Sequence, residues 1–559
     1  MKKKLIKLLA IVLTIALGTV GCTKKNENKD SNEELNEYNI KESNYIHLTM
    51  LFPTTINPIL NKDKSVAYIM NLVYDGLFEM DENYNVQPRL VESYTKSSDG
   101  KSINIKLNSD ATWHNNKELT SSDVSYTVDL IKKTKDSPYL GFVENIKSID
   151  ISDSKNFTIT LDENDPFIID KLTFPIVSRS QLGELNTSEL SEYKYNLLGN
   201  GPYKIKEYVD RQYLILERNE DYFGEMAENR KEIFVKMVPD KESQTEMVLS
   251  LDSDIASIGL GELSKFESKK EFNITSYEGR DYEMVIFNYD NEFLNDANFR
   301  KSIISAIDRE KLLKEAYVNN ATLSHFPLNT NSRYYNNGIK SLNYDKEKAI
   351  EYLSKALKSV NESIESQKQA EANKESSENL HGIIEDNSNE NSSNSQLTRE
   401  QIKEILGNIE LKIIVSAENN EREKVANTIK QNLASIGIKS VVEKLNEKDL
   451  QKALDSKEYD LAVVGYLLSS IPDARSILEA CNIKDDKLST YIKSLGDCKS
   501  EDEIKEVYNK IQKYIVEKGL FISLGILDNF IVSNKRLEGT IYPNDFDIYK
   551  GISNLQMNK

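Results

Sequence analysis

Apolar positions along the chain switch between two periods, and the switches mark out its elements. His47-Leu48-Thr49-Met50-Leu51-Phe52 reads as a strand, closed by Pro53-Thr54-Thr55-Ile56-Asn57-Pro58. After the Ser98-Asp99-Gly100 turn, Ile103, Ile105 and Leu107 alternate with polar residues, the pattern of a half-buried strand. Thr120-Ser121-Ser122-Asp123 then has the T-x-x-D form of a capping box and predicts a helix start. Phe299, Ile303 and Ile307 share one helical face, and Asp308 is placed to cap the helix that follows. A further helix is predicted from Tyr344-Asp345 through Leu357.

The second half of the chain alternates more regularly. Leu411 to Val415 reads as a strand. A helix follows with Val425, Ile429, Leu433 and Ile436 on one face, stopped by Gly437. A strand (Ile438 to Val442), a helix (Asp449 to Leu454) and an apolar strand (Leu461 to Val464) complete a β-α-β-α-β run. Such a run implies a largely parallel sheet with helices on its faces. In open α/β sheets ligands bind beyond the carboxyl ends of the strands. The best-defined buried strand ends at Val464, and Gly465 would let a ligand come close to the backbone. Gly465, Tyr466, Leu467, Leu468, Ser469 and Ser470 are therefore the candidate site on physical grounds.

The ends and the composition add to this picture. Lys2-Lys3-Lys4 precedes an apolar stretch from Leu8 to Val20, short of the roughly 20 residues that span a bilayer. It closes at Gly21-Cys22, the form of a lipoprotein signal in which Cys22 is acylated. Residues 22–44 read as a flexible tether, and Asn361 to Gln396 as a disordered insertion too poor in apolar groups to offset the entropy of ordering. A length of 559 residues suggests two or three domains, and 39% hydrophobic residues suffice for packed cores. A formal charge of −18 argues against a general nucleic-acid binder. His47, His114, His325 and His381 show no metal-ligand spacing, and neither G-x-S-x-G nor H-E-x-x-H occurs. No catalytic residue, metal or cofactor is expected. Cys481 and Cys498 could pair as a disulfide in an exported protein.

The order of several short motifs resembles the extracellular solute-binding proteins of family 5, the dipeptide, oligopeptide and nickel receptors of ABC importers. They are Tyr74-Asp75-Gly76-Leu77, Pro88-Arg89-Leu90-Val91-Glu92-Ser93-Tyr94, Trp113-His114-Asn115-Asn116 and Leu119-Thr120-Ser121-Ser122-Asp123-Val124. Further on come Gly199-Asn200-Gly201-Pro202-Tyr203, Ala306-Ile307-Asp308-Arg309 and Tyr508-Asn509-Lys510-Ile511-Gln512. The resemblance implies a two-lobed α/β periplasmic-binding-protein-like fold (type II, cluster C), with mixed sheets joined by hinge crossings. Lobe I would take residues 45–280, with a subdomain at about 81–198, and the return segment 520–559. Lobe II would take 281–519, interrupted by the insertion at about 361–397, and residues 1–21 would be the signal peptide.

By the same resemblance, Thr54, Thr55, Ile56 and Asn57 lie at the mouth of the cleft. The segment from Gly465 matches the family's G-W-x-A-D-Y, whose Asp pairs with a peptide's ammonium. Here Ser469 stands in that place, and a hydroxyl cannot supply the ion pair. Asp473 is the substitute within reach. The resemblance thus implies a monomeric, lipid-anchored receptor on the outer face of the cell membrane. It would deliver short peptides to ABC permease subunits and would be no enzyme. The alternatives are a sensor or adhesin on the same fold, or a receptor for a nickel chelate or oligosaccharide.

Overall fold

The computed structural model describes residues 45–359 and 406–557, apart from short breaks at 186–188, 191–196, 225, 227–231 and 408. The expected signal, tether and acylated Cys22, the insertion at 361–397 and His381 lie outside the described residues.

Three sheets carry the architecture. In the first, Ile46–Leu51 runs parallel to Ile233–Val238, and Tyr213–Arg218 and Tyr203–Val209 continue it antiparallel. The second is an antiparallel meander of Val91–Lys96, Ser102–Leu107, Asn156–Leu161 and Ile146–Ile151. The third has seven strands. Its parallel part is Lys439–Leu445, Glu410–Ser416 and Leu461–Leu467, as the alternation of elements predicts. The 461–467 strand then pairs antiparallel with Phe272–Phe287, which pairs antiparallel with Ile522–Asn534, so the sheet is mixed.

Two large apolar cores account for most of the buried side chains. One gathers the first two sheets and the end of the chain, from Ile46 and Leu48 to Tyr549 and Leu555. The other is built on the seven-stranded sheet and its helices, from Tyr282 to Ile526. The two long strands connect them. Residues 282–287 and 522–526 are buried in the second core, whereas Tyr277 and Ile531 pack in the first. Between Glu278 and Tyr282 the register of this pair shifts. Gly279 sits at that shift, where a Cβ would stand 2.7 Å from the Leu527 carbonyl oxygen. A bulge of this kind bends a strand and re-aims its side chains.

Local signals held where they were strongest. The helix Ser121–Lys133 starts with the Asp123 carboxylate accepting the Thr120 backbone N–H and hydroxyl, both at 2.9 Å. Asp308 caps Arg309–Tyr317 by accepting from the Lys311 N–H at 3.0 Å. The helix Asn420–Ser435 ends before Gly437, whose φ of +91° lies in the left-handed region that glycine tolerates best. Two expectations are corrected. The buried strand runs past Val464 to Leu467, because Gly465 and Tyr466 keep their ladder with Glu283 and Tyr282. Cys481 and Cys498 are free, buried thiols. Each donates back to its own helix, Cys481 to the Ile477 carbonyl at 3.2 Å and Cys498 to the Ser494 carbonyl at 3.3 Å. Burial pushes the Cys481 thiol up to about 12, far from the thiolate that disulfide exchange needs.

A thiol reagent should therefore leave Cys481 and Cys498 unlabelled in the native protein and label both in guanidinium without reductant. Labelling only after reduction would mean that the two are paired.

Candidate functional site

The helix Lys64–Met70 is capped by Asp63, whose carboxylate accepts the Ser65 and Val66 N–H groups at 2.8 and 3.1 Å. Its exit is held by the Gly199-Asn200-Gly201 crossing. The N–H groups of Asn200 and Gly201 both bond the Val73 carbonyl, at 3.1 and 2.9 Å. A Cβ on Gly199 would lie 2.1 Å from that oxygen, so glycine is required for the approach. The crossing fixes Tyr74 to Met80 against one wall of a cavity of about 340 Å3. The end of the chain folds back as the opposing turn, Asn544 to Asp547.

Arg280, at the bulge of the long strand, reaches into this space. Its Nε donates to Asp545 at 2.7 Å, its Nη1 to the Leu468 carbonyl at 2.7 Å, and its guanidinium lies 4.1 Å from the centre of the Phe546 ring. Asp545 also accepts from Lys64 at 3.1 Å and from Asn529 at 2.9 Å, so both of its oxygens are engaged. Aromatic side chains, among them Tyr68, Phe78, Tyr139 and Phe142, supply much of the remaining wall.

Three further carboxylates line the cavity and differ in their partners. Asp75 accepts from Arg89 at 3.2 Å and from the Tyr222 hydroxyl at 2.7 Å. Glu79 lies 3.7 Å from Arg89 and 3.6 Å from Lys550. Asp547 accepts the Tyr549 backbone N–H at 3.0 Å, its one hydrogen bond among the described residues. Burial pushes the Asp547 carboxyl up to about 6, against the opposing pull of the Lys550 ammonium.

Of the residues predicted from sequence, only Ser470 lines this cavity. Gly465 and Tyr466 line a second, polar pocket of about 530 Å3 with Arg422, Glu447 and Gln451. The space expected beside Gly465 is filled from within. Arg422 donates to Glu283 through Nε and Nη2, both at 2.8 Å, and a Cβ on Gly465 would stand 1.8 Å from Arg422 Nη2. Leu467 is exposed, and Leu468 is buried with its carbonyl on Arg280. Ser469 is exposed, and its hydroxyl accepts from the Ile471 N–H at 3.1 Å. Asp473, the expected substitute, is clamped by Arg475, with Nε at 2.8 and 2.9 Å and Nη2 at 2.6 Å. Thr54 is exposed, while Thr55, Ile56 and Asn57 are buried in a turn in which the Thr55 hydroxyl takes the Asn57 N–H. None of these four lines either cavity.

Sequence reasoning missed Arg280, Asp545 and Asp547. The one sequence signal for Arg280 is a cation after Gly279 in a run that is otherwise strand-like. Among the described residues no group of three His, Cys, Asp or Glu is placed to hold a metal ion.

The sequence model of the bacterial extracellular solute-binding proteins, family 5 Middle, matches residues 85–487. The oligopeptide-binding protein AppA of Bacillus subtilis is 23% identical over 572 residues, covering 98% of this chain and 98% of its own. Two solved structures share the fold. The periplasmic murein tripeptide-binding protein MppA, in its unliganded open form, superposes with a TM-score of 0.74 at 14% identity, over 92% of this chain and 98% of that one. A nickel ABC transporter protein from Bacillus halodurans gives 0.71 at 17% identity, over 91% and 99%.

Two substitutions test this geometry. Arg280→Met leaves Asp545 without its buried cation and should cost about 3–5 kcal/mol in urea unfolding. Gly465→Ala drives a methyl into the Arg422–Glu283 pair and should cost about 1–3 kcal/mol. An unchanged midpoint in either would show that the contact gives way without strain.

Proposed function

The chain belongs to the bacterial extracellular solute-binding proteins of family 5, and from that premise we propose that it captures short peptides in the cavity beside Arg280. It is the substrate-binding component of an ABC importer, a binding protein and not an enzyme. The observation that carries the site assignment is the cavity itself. Its volume of about 340 Å3 falls within the range of roughly 300–1,000 Å3 typical of small-ligand sites. Its walls combine aromatic rings with a few fixed charges, which suits a short amphipathic solute. The relative AppA is named for oligopeptides and MppA for a murein tripeptide, and both favour a peptide here.

In this reading residues 45–280 and 520–559 form one lobe and 281–519 the other. The two long strands are the hinge between them. A peptide that touches both Ser470 and the 74–80 segment binds the closed arrangement better than the open one, and that difference drives closure. Cys22 carries the lipid that holds the receptor, as a monomer, at the outer face of the cell membrane.

Native mass spectrometry of protein purified gently from its own source is the direct test. Release by unfolding should yield peptides of a few residues, and re-addition at 100 times Kd should raise stability by about 2.7 kcal/mol. A single non-peptide species such as a nickel chelate would replace the ligand class. A protein that is empty and inert to mixed solutes would favour a sensor or adhesin. Cys22→Ser should move the protein from the membrane fraction to the medium, and retention on the membrane would refute the anchor.

A further inference from the structure

The carboxylates that sequence offered for a ligand's amine are absent or spent. Ser469 has no charge, and both oxygens of Asp473 are held by Arg475 at 2.6–2.9 Å. The cavity has its own carboxylates, and their bonding separates them. Asp545 is saturated by Arg280, Lys64 and Asn529, and Asp75 by Arg89 and Tyr222. Glu79 shares two cations, Arg89 and Lys550. Among the described residues Asp547 has a single backbone donor, on Oδ1, and no side-chain partner within hydrogen-bonding distance. The Lys550 ammonium, 3.0 Å from the Met80 carbonyl oxygen and 3.6 Å from Glu79, attracts Asp547 through space without a hydrogen bond to it.

A carboxylate drawn part-way out of water, as half-buried Asp547 is, is stable when a cation or several donors satisfy it. Here the protein supplies one N–H and the through-space attraction of Lys550 and Arg89, and the residue lines a cavity large enough for a small solute. Arg280, the nearest guanidinium in the lining, is held away by Asp545 and the Leu468 carbonyl. We propose that Asp547, with Glu79 beside it, receives the ammonium group of the ligand, and that this receptor selects peptides with a free amino group. The inference rests on the reading of the cavity as the peptide site. It moves amine recognition from the loop after the 461–467 strand to the turn at the end of the chain. Ser470, across the cavity, is then left to bond the ligand's amide groups.

The test is one competitive binding experiment on the full chain. An equimolar mixture of synthetic di-, tri- and tetrapeptides, half of each with an N-acetyl cap, is equilibrated with the protein, and retained species are weighed by native mass spectrometry. Wild type should retain the uncapped peptides at least 10-fold over the capped ones. Asp547→Asn keeps the shape and the acceptor for Tyr549, and it should lose that preference together with 10- to 100-fold in affinity, the scale of a charge-assisted bond. The thermal midpoint of the empty variant shows that it is folded, and the preference of the wild type needs no variant at all. Equal retention of capped and uncapped peptides, or undiminished retention by folded Asp547→Asn, would overturn the assignment of Asp547 and leave the peptide reading intact. Retention of no peptide by wild type would overturn both.

Discussion

The guanidinium of Arg280 is the contact on which the rest of the site depends. It lies at the bulge where the 272–287 strand passes from one core to the other, and it bonds a group from each side. Asp545 belongs to the turn that packs with the first core, and Leu468 is buried in the second. A buried cation with one carboxylate, one carbonyl and an aromatic face is satisfied only when all three are in place. The crossing strand, the loop after Leu467 and the end of the chain are thereby held in one arrangement. That arrangement encloses the cavity.

The loop on the second core is fixed from beneath as well. The Tyr508 hydroxyl donates to the Pro472 carbonyl at 2.8 Å and accepts the Ala474 N–H at 3.1 Å. Gln512, one helical turn on and fully buried, donates to the Tyr334 carbonyl at 2.8 Å and accepts the Asn336 N–H at 3.0 Å. These two side chains give the Tyr508-to-Gln512 motif a physical task. They brace the 472–474 and 334–336 segments and do not line the cavity. Asp473 belongs to the same bracing, since its carboxylate orients Arg475 at the start of the next helix.

Sequence made the elements legible wherever the cause was local. Asp123 and Asp308 cap helices because a carboxylate a few residues away along the chain is enough to meet an orphan N–H. The glycines at 199 and 201 were legible as part of a motif, although the backbone they cross, at Val73, was not. Gly465 carries a signal with two physical readings. A glycine in a buried strand does signal close approach, but what approaches is Arg422 from another helix, not a ligand. Asp545 and Asp547 carried no local pattern. Lys64, which bonds Asp545, lies 481 residues away in sequence, the 74–80 segment that lines the cavity with Asp547 is similarly distant, and only the completed fold brings them together.

That separation has a consequence for biogenesis. A chain delivered from its amino end exposes Lys64 and Tyr74 first and the Asn544–Asp547 turn almost last. Until those final residues arrive, the first core lacks Tyr549 and Leu555, and Arg280 has no counter-ion. A fragment cut short before Asp545 therefore lacks one wall of the cavity and the strand 556–557 that pairs with 537–538. Residues 481 positions apart thus have to meet before Arg280 is neutralised and the cavity has its walls.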